Sequence, residues 1–367
     1  MKNNRTFLEK LLNGAEVEWK PLGKVTDIKT GQSVSKNIIA QNPGIYPVIN
    51  SGREPLGFIN EWNTENDPIG ITTRGAGVGS ITWQEGKYFR GNLNYSVTIK
   101  SEYELNVRFL YHVLIHFQKE IHNLCSFTGI PALNASELKK LEIPIPPLPV
   151  QTKIVKILDA LTALTSELTS ELTLRRKQYE YYREKLLSFD SLEQLNIGGA
   201  KKKLIDVAKI KNGKDWKHLG EGDIPIYGSG GIMGYVDTYS YDKPTVLIPR
   251  KGSITNIFYL EEPFWNVDTI YYTEINTTQI LPKYFFHFMK TVDLAKLDTG
   301  SGRPSLTQAI LNEIPIFVPS IEEQHRIVSI LDKFEALTNS ITEGLPLAIE
   351  QSQKRYEYYR ESLLNFE

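Results

Sequence analysis

Arg74 and Arg250 are the positions where charge and a permissive backbone coincide. Arg74 stands in Thr72-Thr-Arg-Gly-Ala-Gly-Val-Gly79 and Arg250 in Ile248-Pro-Arg-Lys-Gly-Ser253, each after a β-favouring run. A guanidinium on such a loop can fork onto a guanine edge or a phosphate. Arg53, Thr72, Thr73, Lys87 and Arg90 accompany the first arginine, and Lys251, Ser253, Thr255 and Asn256 the second. A second pair of polar, turn-forming stretches, Thr128-Gly-Ile-Pro-Ala-Leu-Asn134 and Gly300-Ser-Gly-Arg-Pro-Ser-Leu-Thr307, adds Arg303 as its one charge. Exposed loop arginines are also routine solvated residues, so these twelve are candidates for DNA contact and no more.

Motifs for catalysis are not found. Gly75-Ala-Gly-Val-Gly79 and Gly228-Ser-Gly-Gly231 lack the lysine and following helix of a phosphate-binding loop, and read as turns between strands. No Asn-Pro-Pro-Tyr or Asp-Pro-Pro-Tyr stretch of an amino-methyltransferase occurs, and six scattered histidines with one cysteine give no metal-ligand spacing. The expectation is a chain without catalysis, cofactor or metal of its own. Cys125 has no second cysteine to pair with, no apolar run reaches membrane length, and the start is polar, which suggests a reducing cytoplasm. The formal net charge of −1 is low for a protein that grips nucleic acid alone. Positive charge must then be local or come from a partner.

The elements that would position these loops are duplicated. Gln151, Ile154, Leu158 and Asp159 return as Gln324, Ile327, Leu331 and Asp332 at an offset of 173, and Tyr179-Glu-Tyr-Tyr-Arg183 returns as Tyr356-Glu-Tyr-Tyr-Arg360 at 177. Between these ends, Ile157, Leu161, Leu164, Leu168, Leu172, Arg175, Tyr179, Tyr182 and Leu186 trace a helical seam with one extra step of four, a stutter. The second copy runs through Ile330, Phe334, Leu337, Ile341, Leu345, Ala348, Ser352, Tyr356, Tyr359 and Leu363. Gly344 and Pro346 are expected to kink or break it. A stripe of this kind is ordinary core or dimer surface unless its surroundings repeat as well.

They do repeat. Leu22, Val25, Ile28 and Gly31 match Leu204, Val207, Ile210 and Gly213 at 182; Arg74 aligns with Arg250 at 176, His112 with His287 at 175, and Pro131 with Pro304 at 173. Short β-favouring runs (69–73, 80–83, 95–99, 245–248, 254–260 and 269–273) precede one amphipathic helix in each half, 107–121 and 282–295. A short helix is expected over 5–12, and a proline before each rod, Pro149 and Pro319, sets an extended entry.

With these residues the chain resembles the specificity subunits of type I restriction-modification systems over essentially its whole length. The resemblance rests on Ile143-Pro-Ile-Pro-Pro-Leu-Pro-Val-Gln151 leading into Ile154-Val-Lys-Ile-Leu-Asp159, on the copy from Ile314 to Asp332, and on the two Tyr-Glu-Tyr-Tyr-Arg rod ends. It implies an α+β fold: two mixed α/β target-recognition domains in a pseudo-twofold repeat, separated by two long antiparallel helices. The corresponding division is an N-terminal helical segment (1–16), a first recognition domain (17–149), a central conserved helix (150–190), a second recognition domain (191–319) and a distal conserved helix (320–367).

The resemblance further implies that each domain reads half of a bipartite site in double-stranded DNA. Methylation subunits, usually two, would dock on the helices, at Ile157, Leu161, Leu164, Leu168, Leu172, Tyr179, Tyr182, Leu331, Phe334, Leu337, Tyr356 and Tyr359. S-adenosylmethionine would belong to those subunits, and ATP and Mg to restriction subunits where the system has them. The tandem Thr165-Ser-Glu-Leu and Thr169-Ser-Glu-Leu resembles the four-residue repeats that set spacer length in this family. A two-lobed coiled-coil adaptor that binds proteins instead of DNA is the alternative, and a methyltransferase acting alone is disfavoured by the missing motifs.

Overall fold

The computed structural model describes residues 7–52, 54–194, 198–300 and 302–366, so Arg5 and Arg53 lie outside the described residues. The chain divides into two compact units, residues 1–167 with 349–367, and residues 168–348.

In the first unit Thr26–Thr30, Asn94–Ile99, Ile69–Thr72 and Ile81–Trp83 pair in that order as an antiparallel sheet. Its inward β-branched residues Ile69, Ile71 and Val97 are buried in one cluster with Phe109, Leu110, Val113 and Leu114 of the helix Val107–His116. Asn106 starts that helix by accepting hydrogen bonds from the N–H groups of Arg108 and Phe109. The single helix expected over 107–121 is divided at Phe117 and resumes as Gln118–Asn123. A smaller sheet, unforeseen as a separate layer, orders Phe58–Ile59, Pro43–Ile49, Lys87–Arg90 and Thr64–Glu65. Glu18–Pro21 pairs with Glu142–Ile145, closing the globular part just before the long helix begins.

The second unit repeats this order. Ala208–Lys211, Ile270–Ile275, Thr245–Pro249 and Phe258–Leu260 form the larger sheet, and Gly231–Val236, Ile224–Gly228 and Trp265–Asn266 the smaller one. Gly199–Lys203 pairs with Pro315–Pro319 as the closing ribbon. The helix Pro282–Met289 starts with proline, whose missing donor costs nothing in a first turn, and buries Tyr284, Phe285 and Met289. It is shorter than the expected 282–295. The strand expected from 254 starts only at Phe258, because Ser253 to Asn256 forms a turn.

The long helix spans Leu148–Leu187, 40 residues, with Pro149 tolerated in its first turn. In the first unit Ile154 and Leu158 share a core with Leu363 and Leu364, while Thr165 Oγ1 lies 2.8 Å from Ser352 Oγ. In the second, Arg176 donates to Thr338 O (3.4 Å), the Tyr179 and Tyr182 rings stack on Phe334 (6.2 and 5.7 Å), and Leu187 shares a core with Ile327 and Leu331. Helix pairing is antiparallel in each unit. Leu164 is exposed while Thr165 is half-buried beside the buried Ser352, and Thr338, its repeat, is buried where Leu337 was expected. With Thr165 in the seam the steps 154, 158, 161, 165, 168, 172, 175 and 179 alternate four and three, so the expected stutter disappears.

The distal segment is two helices, Ile321–Asn339 and Gly344–Leu364. The break falls at 340–343, just ahead of the expected residues, and Ile341 within it is exposed. Gly344 has φ +75°, and a Cβ there would lie 2.5 Å from Ala336 O and 2.7 Å from Leu337 O. Only glycine allows the chain to fold back this closely on the end of the preceding helix. Pro346 then sits in a first turn, where it breaks nothing.

Candidate functional site

In the first unit the Arg74 loop is stitched to the 126–133 loop. Leu133 N donates to Thr73 O (2.8 Å), Gly75 N to Pro131 O (3.0 Å), and Ser126 and Ala132 bond reciprocally (2.8 and 3.0 Å). Tyr95 Oη holds Leu133 O at 3.2 Å. A third stretch joins them, since a Cβ on Gly77 would come 3.0 Å from Ser51 O. These bonds leave Arg74 exposed at the edge of the cluster.

The second unit builds the same cluster with matching main-chain bonds, except that Ser305 N donates to Asp298 Oδ1 (2.8 Å) instead of returning a bond to Thr299. Leu306 N donates to Arg250 O (2.8 Å), Gly252 N to Pro304 O (3.0 Å), and Thr299 N to Ser305 O (2.9 Å), while Tyr271 Oη holds Leu306 O at 3.2 Å. The third stretch is tied in by Asn256 Nδ2 to Ser229 O (3.0 Å) and by Ser229 N to Thr269 Oγ1 (3.2 Å). Matching bond for bond pairs Thr73 with Arg250 and Arg74 with Lys251, whose bridges go to Ala132 and Ser305. The sequence alignment of Arg74 with Arg250 is therefore one residue out of register. Arg250 is half-buried and donates to Asp268 O (3.2 Å), and Lys251 Nζ lies 4.0 Å from the Asp268 carboxylate.

Of the other candidates, Lys87, Ser253, Thr255 and Arg303 are exposed and Asn256 is half-buried. Lys87 stands over the Trp62 ring at 4.3 Å and 3.9 Å from Glu65, away from the stitched loops. Thr72 and Thr73 are buried, and so is Arg90, at 3 % exposure. Arg90 Nη1 donates to Ile69 O (3.1 Å), Asn94 Oδ1 (2.6 Å) and Tyr95 O (3.0 Å), and Nη2 to Asp67 O (2.7 Å) and Tyr88 Oη. Its fork spans the two sheets of its unit. A guanidinium buried with both Nη groups bonded inside its own unit presents nothing to a base, although its buried Nε has no partner, so Arg90, Thr72 and Thr73 are corrected from contact candidates to framework residues.

What positions the globular parts on the helices is a duplicated polar clamp that the sequence reading matched as repeats without recognising as contacts. Buried Gln151 accepts from Asn106 N (2.8 Å) and donates to Glu104 O (3.1 Å) and Pro146 O (2.8 Å). Buried Gln324 accepts from Leu281 N (2.7 Å) and donates to Gln279 O (3.0 Å) and Pro319 O (2.9 Å). Two turns on, Asp159 meets His112 Nε2 and Arg108 Nε, each at 2.8 Å, and Asp332 meets His287 Nε2 at 2.9 Å and Lys283 Nζ at 2.8 Å. Burial holds both imidazoles below the ordinary histidine value, against the pull of their aspartates. Burial would raise Asp332, but the bonds from Lys283 and His287 outweigh it and keep the carboxyl below its usual value.

His287, Asp332 and Glu335 place their ligand atoms within 4.8 Å of one another. Lys283 already bonds Asp332, and Lys290 lies 3.6 Å from Glu335. The cluster is an ion-pair network whose lysines supply the positive charge a metal would otherwise bring. At the repeat of Glu335 the first unit carries Thr162.

On the helices, Tyr179 and Leu331 are buried; Ile157, Leu161, Leu168, Leu172, Phe334, Leu337, Tyr356 and Tyr359 are half-buried; Leu164 and Tyr182 are exposed. Ile157, Tyr356 and Tyr359 pack against the core of the first unit and Phe334 against that of the second, each with part of its surface still exposed.

A family model described as the type I restriction modification DNA specificity domain matches residues 15–174 and again 197–351. The chain is 42% identical over 397 residues to a Haemophilus influenzae protein described as a candidate type I restriction enzyme specificity subunit, covering 100% of both. It is 32% identical over 406 residues to the EcoR124I/EcoR124II specificity subunit of Escherichia coli, covering 98% of this chain and 97% of that one. Among solved structures it shares its fold with the S subunit of a type I restriction-modification system from M. genitalium (TM-score 0.67, 23% identity), over 97% of this chain and 98% of that one. Two family matches thus fall on the two repeats that carry the stitched loops, and the chain belongs to the family of type I restriction-modification specificity subunits.

Proposed function

We propose that this chain is the DNA-reading subunit of a type I restriction-modification complex, each loop cluster reading one half of a bipartite site in double-stranded DNA. The observation that carries this is the stitching shared by the two clusters, whose outward side chains differ. Arg74 on one frame answers to Lys251 on the other, as two readers of different half-sites require. The domain boundaries suggested by the sequence, 17–149 and 191–319, delimit the two readers. The exposed Arg74, Ser253, Thr255 and Arg303, with Lys251 and Asn256, are the contacts we assign to DNA.

In this reading two methylation subunits dock on the long helices, and restriction subunits join where the system encodes them. This chain does no chemistry. S-adenosylmethionine belongs to the methylation subunits, ATP and Mg to the restriction subunits, and the assembly works in the cytoplasm. Partners that share the grip on DNA also account for a net charge of only −1. Among the described residues no helix is long and apolar enough to cross a membrane.

The test is co-expression with a methylation subunit of the same system and mapping of methylated adenines in the host DNA. A two-part motif with an unread spacer is expected. A continuous motif, or none from an assembled complex with active methylation subunits, favours a protein-binding adaptor.

A further inference from the structure

The stitched loops differ most at their tips. By the bonds that fix the frame, 126 answers to 299, 132 to 305 and 133 to 306, so Ile130 occupies the place of Arg303. Ile130 is 67% exposed and Phe127, on the same loop, 54%. Leaving an isoleucine and a phenylalanine in water on a polar loop forgoes burial that the neighbouring core would reward. In the second unit Gly300 stands in place of Phe127, and it has to be glycine, because a Cβ there would collide with Arg303 O. One tip is thus apolar and the other cationic, on a common backbone frame.

We infer that 130 and 303 are equivalent specificity-determining positions: Ile130 meets the methyl of a thymine in the half-site of the first unit, and Arg303 forks onto a guanine in that of the second. The inference rests on the DNA-reading function proposed above. The chemistry follows from the base edges. In the major groove the thymine methyl is the only apolar feature, and O6 with N7 of guanine is the only pair of acceptors that matches a guanidinium fork. The frame explains how an exposed side chain can discriminate. Main-chain bonds of 2.8 to 3.0 Å to the Arg74 and Lys251 loops, with a tyrosine hydroxyl at 3.2 Å, fix each loop before DNA arrives. Little ordering is then left to oppose binding.

The experiment exchanges the two side chains singly, Ile130→Arg and Arg303→Ile, in the full chain co-expressed with its methylation subunit, and maps methylated adenines. Arg303→Ile is expected to relax one guanine of one half-site, with discrimination falling roughly tenfold to a hundredfold, the value of a bidentate base contact. Ile130→Arg is expected to exchange an A·T pair for guanine in the other half-site, and in each case the remaining half and the spacer stay as they were. Unaltered motifs in both variants overturn the inference. Should Arg303→Ile abolish methylation, Arg303→Lys decides, since it keeps the charge without the fork. Methylation regained with one relaxed base supports the inference, whereas an unaltered motif or continued loss overturns it. If the unsubstituted complex itself gives no two-part motif, it is the proposed function that fails.

Discussion

His112 Nε2 lies 2.8 Å from Asp159 Oδ1, which joins the buried face of a globular-domain helix to the first turns of the 40-residue helix. The second unit repeats the contact with His287 and Asp332 at 2.9 Å. Replacing either aspartate with asparagine keeps the shape and removes the charge that a histidine and a neighbouring Arg108 or Lys283 share. A loss of about 1 to 3 kcal/mol of stability is expected for each, measured by urea unfolding. An unchanged midpoint would mean that the clamp contributes nothing to docking.

Both imidazoles have folded values below the ordinary histidine value, so they contribute stability in full above about pH 6.5 and lose it as pH falls through the depressed value. Asp332 has the same sign lower down, present above about pH 4 and lost in acid. The groups facing His112 are Asp159, Arg108 and Arg360; those facing His287 are Asp332, Glu335 and Lys290. Unfolding midpoints should decline between about pH 7 and pH 5, and less steeply when both histidines are replaced by asparagine. Equal slopes would remove the histidines from the explanation.

Gln151 and Gln324 each satisfy three main-chain groups from buried positions. Leucine at either place leaves those groups unpaired and should cost on the order of 3 kcal/mol. Arg90→Met should be at least as damaging, roughly 3 to 5 kcal/mol, while leaving the bases read by any surviving complex unchanged. Altered bases with undiminished stability would return Arg90 to the contact residues.

The repeat was legible because identical residues recur in identical order, and it led to the paired His, Asp and Gln positions and, through the family resemblance it helped carry, to the fold class. What those pairs do was not legible, since Asp159 and His112, 47 positions apart in the chain, meet only through tertiary packing. Charge misled at Arg90, where a basic residue on a β-favouring run gives no sign that five acceptors surround it. Periodicity misled at Leu164, because a leucine outranks a threonine in any hydrophobic pattern, whereas Thr165 meets Ser352 by hydrogen bonding. Drifting offsets hid the true register of the arginine loops, which only the matched main-chain bonds of Arg74 and Lys251 fix. Ile130 escaped notice for the opposite reason, since an apolar residue reads as core until its exposure is known.

Removing Thr169 to Leu172 deletes one tetrad, about 6 Å of helix. Leu168 and Leu172 are both half-buried positions of the seam, so a deletion of this length nearly preserves its face. At about 3.4 Å per base pair the mapped motif should lose one to two base pairs of spacer and keep both half-sites. Changed half-sites with an intact spacer would contradict this.

The division of labour between the two loop clusters is tested most directly by mapping methylated adenines after Arg74→Ala and, separately, Lys251→Ala in the full complex. Each substitution should degrade or relax one half of the motif, a different half in the two variants, with the other half and the spacer retained. Substitutions that alter both halves together, or neither, would contradict independent reading by two domains.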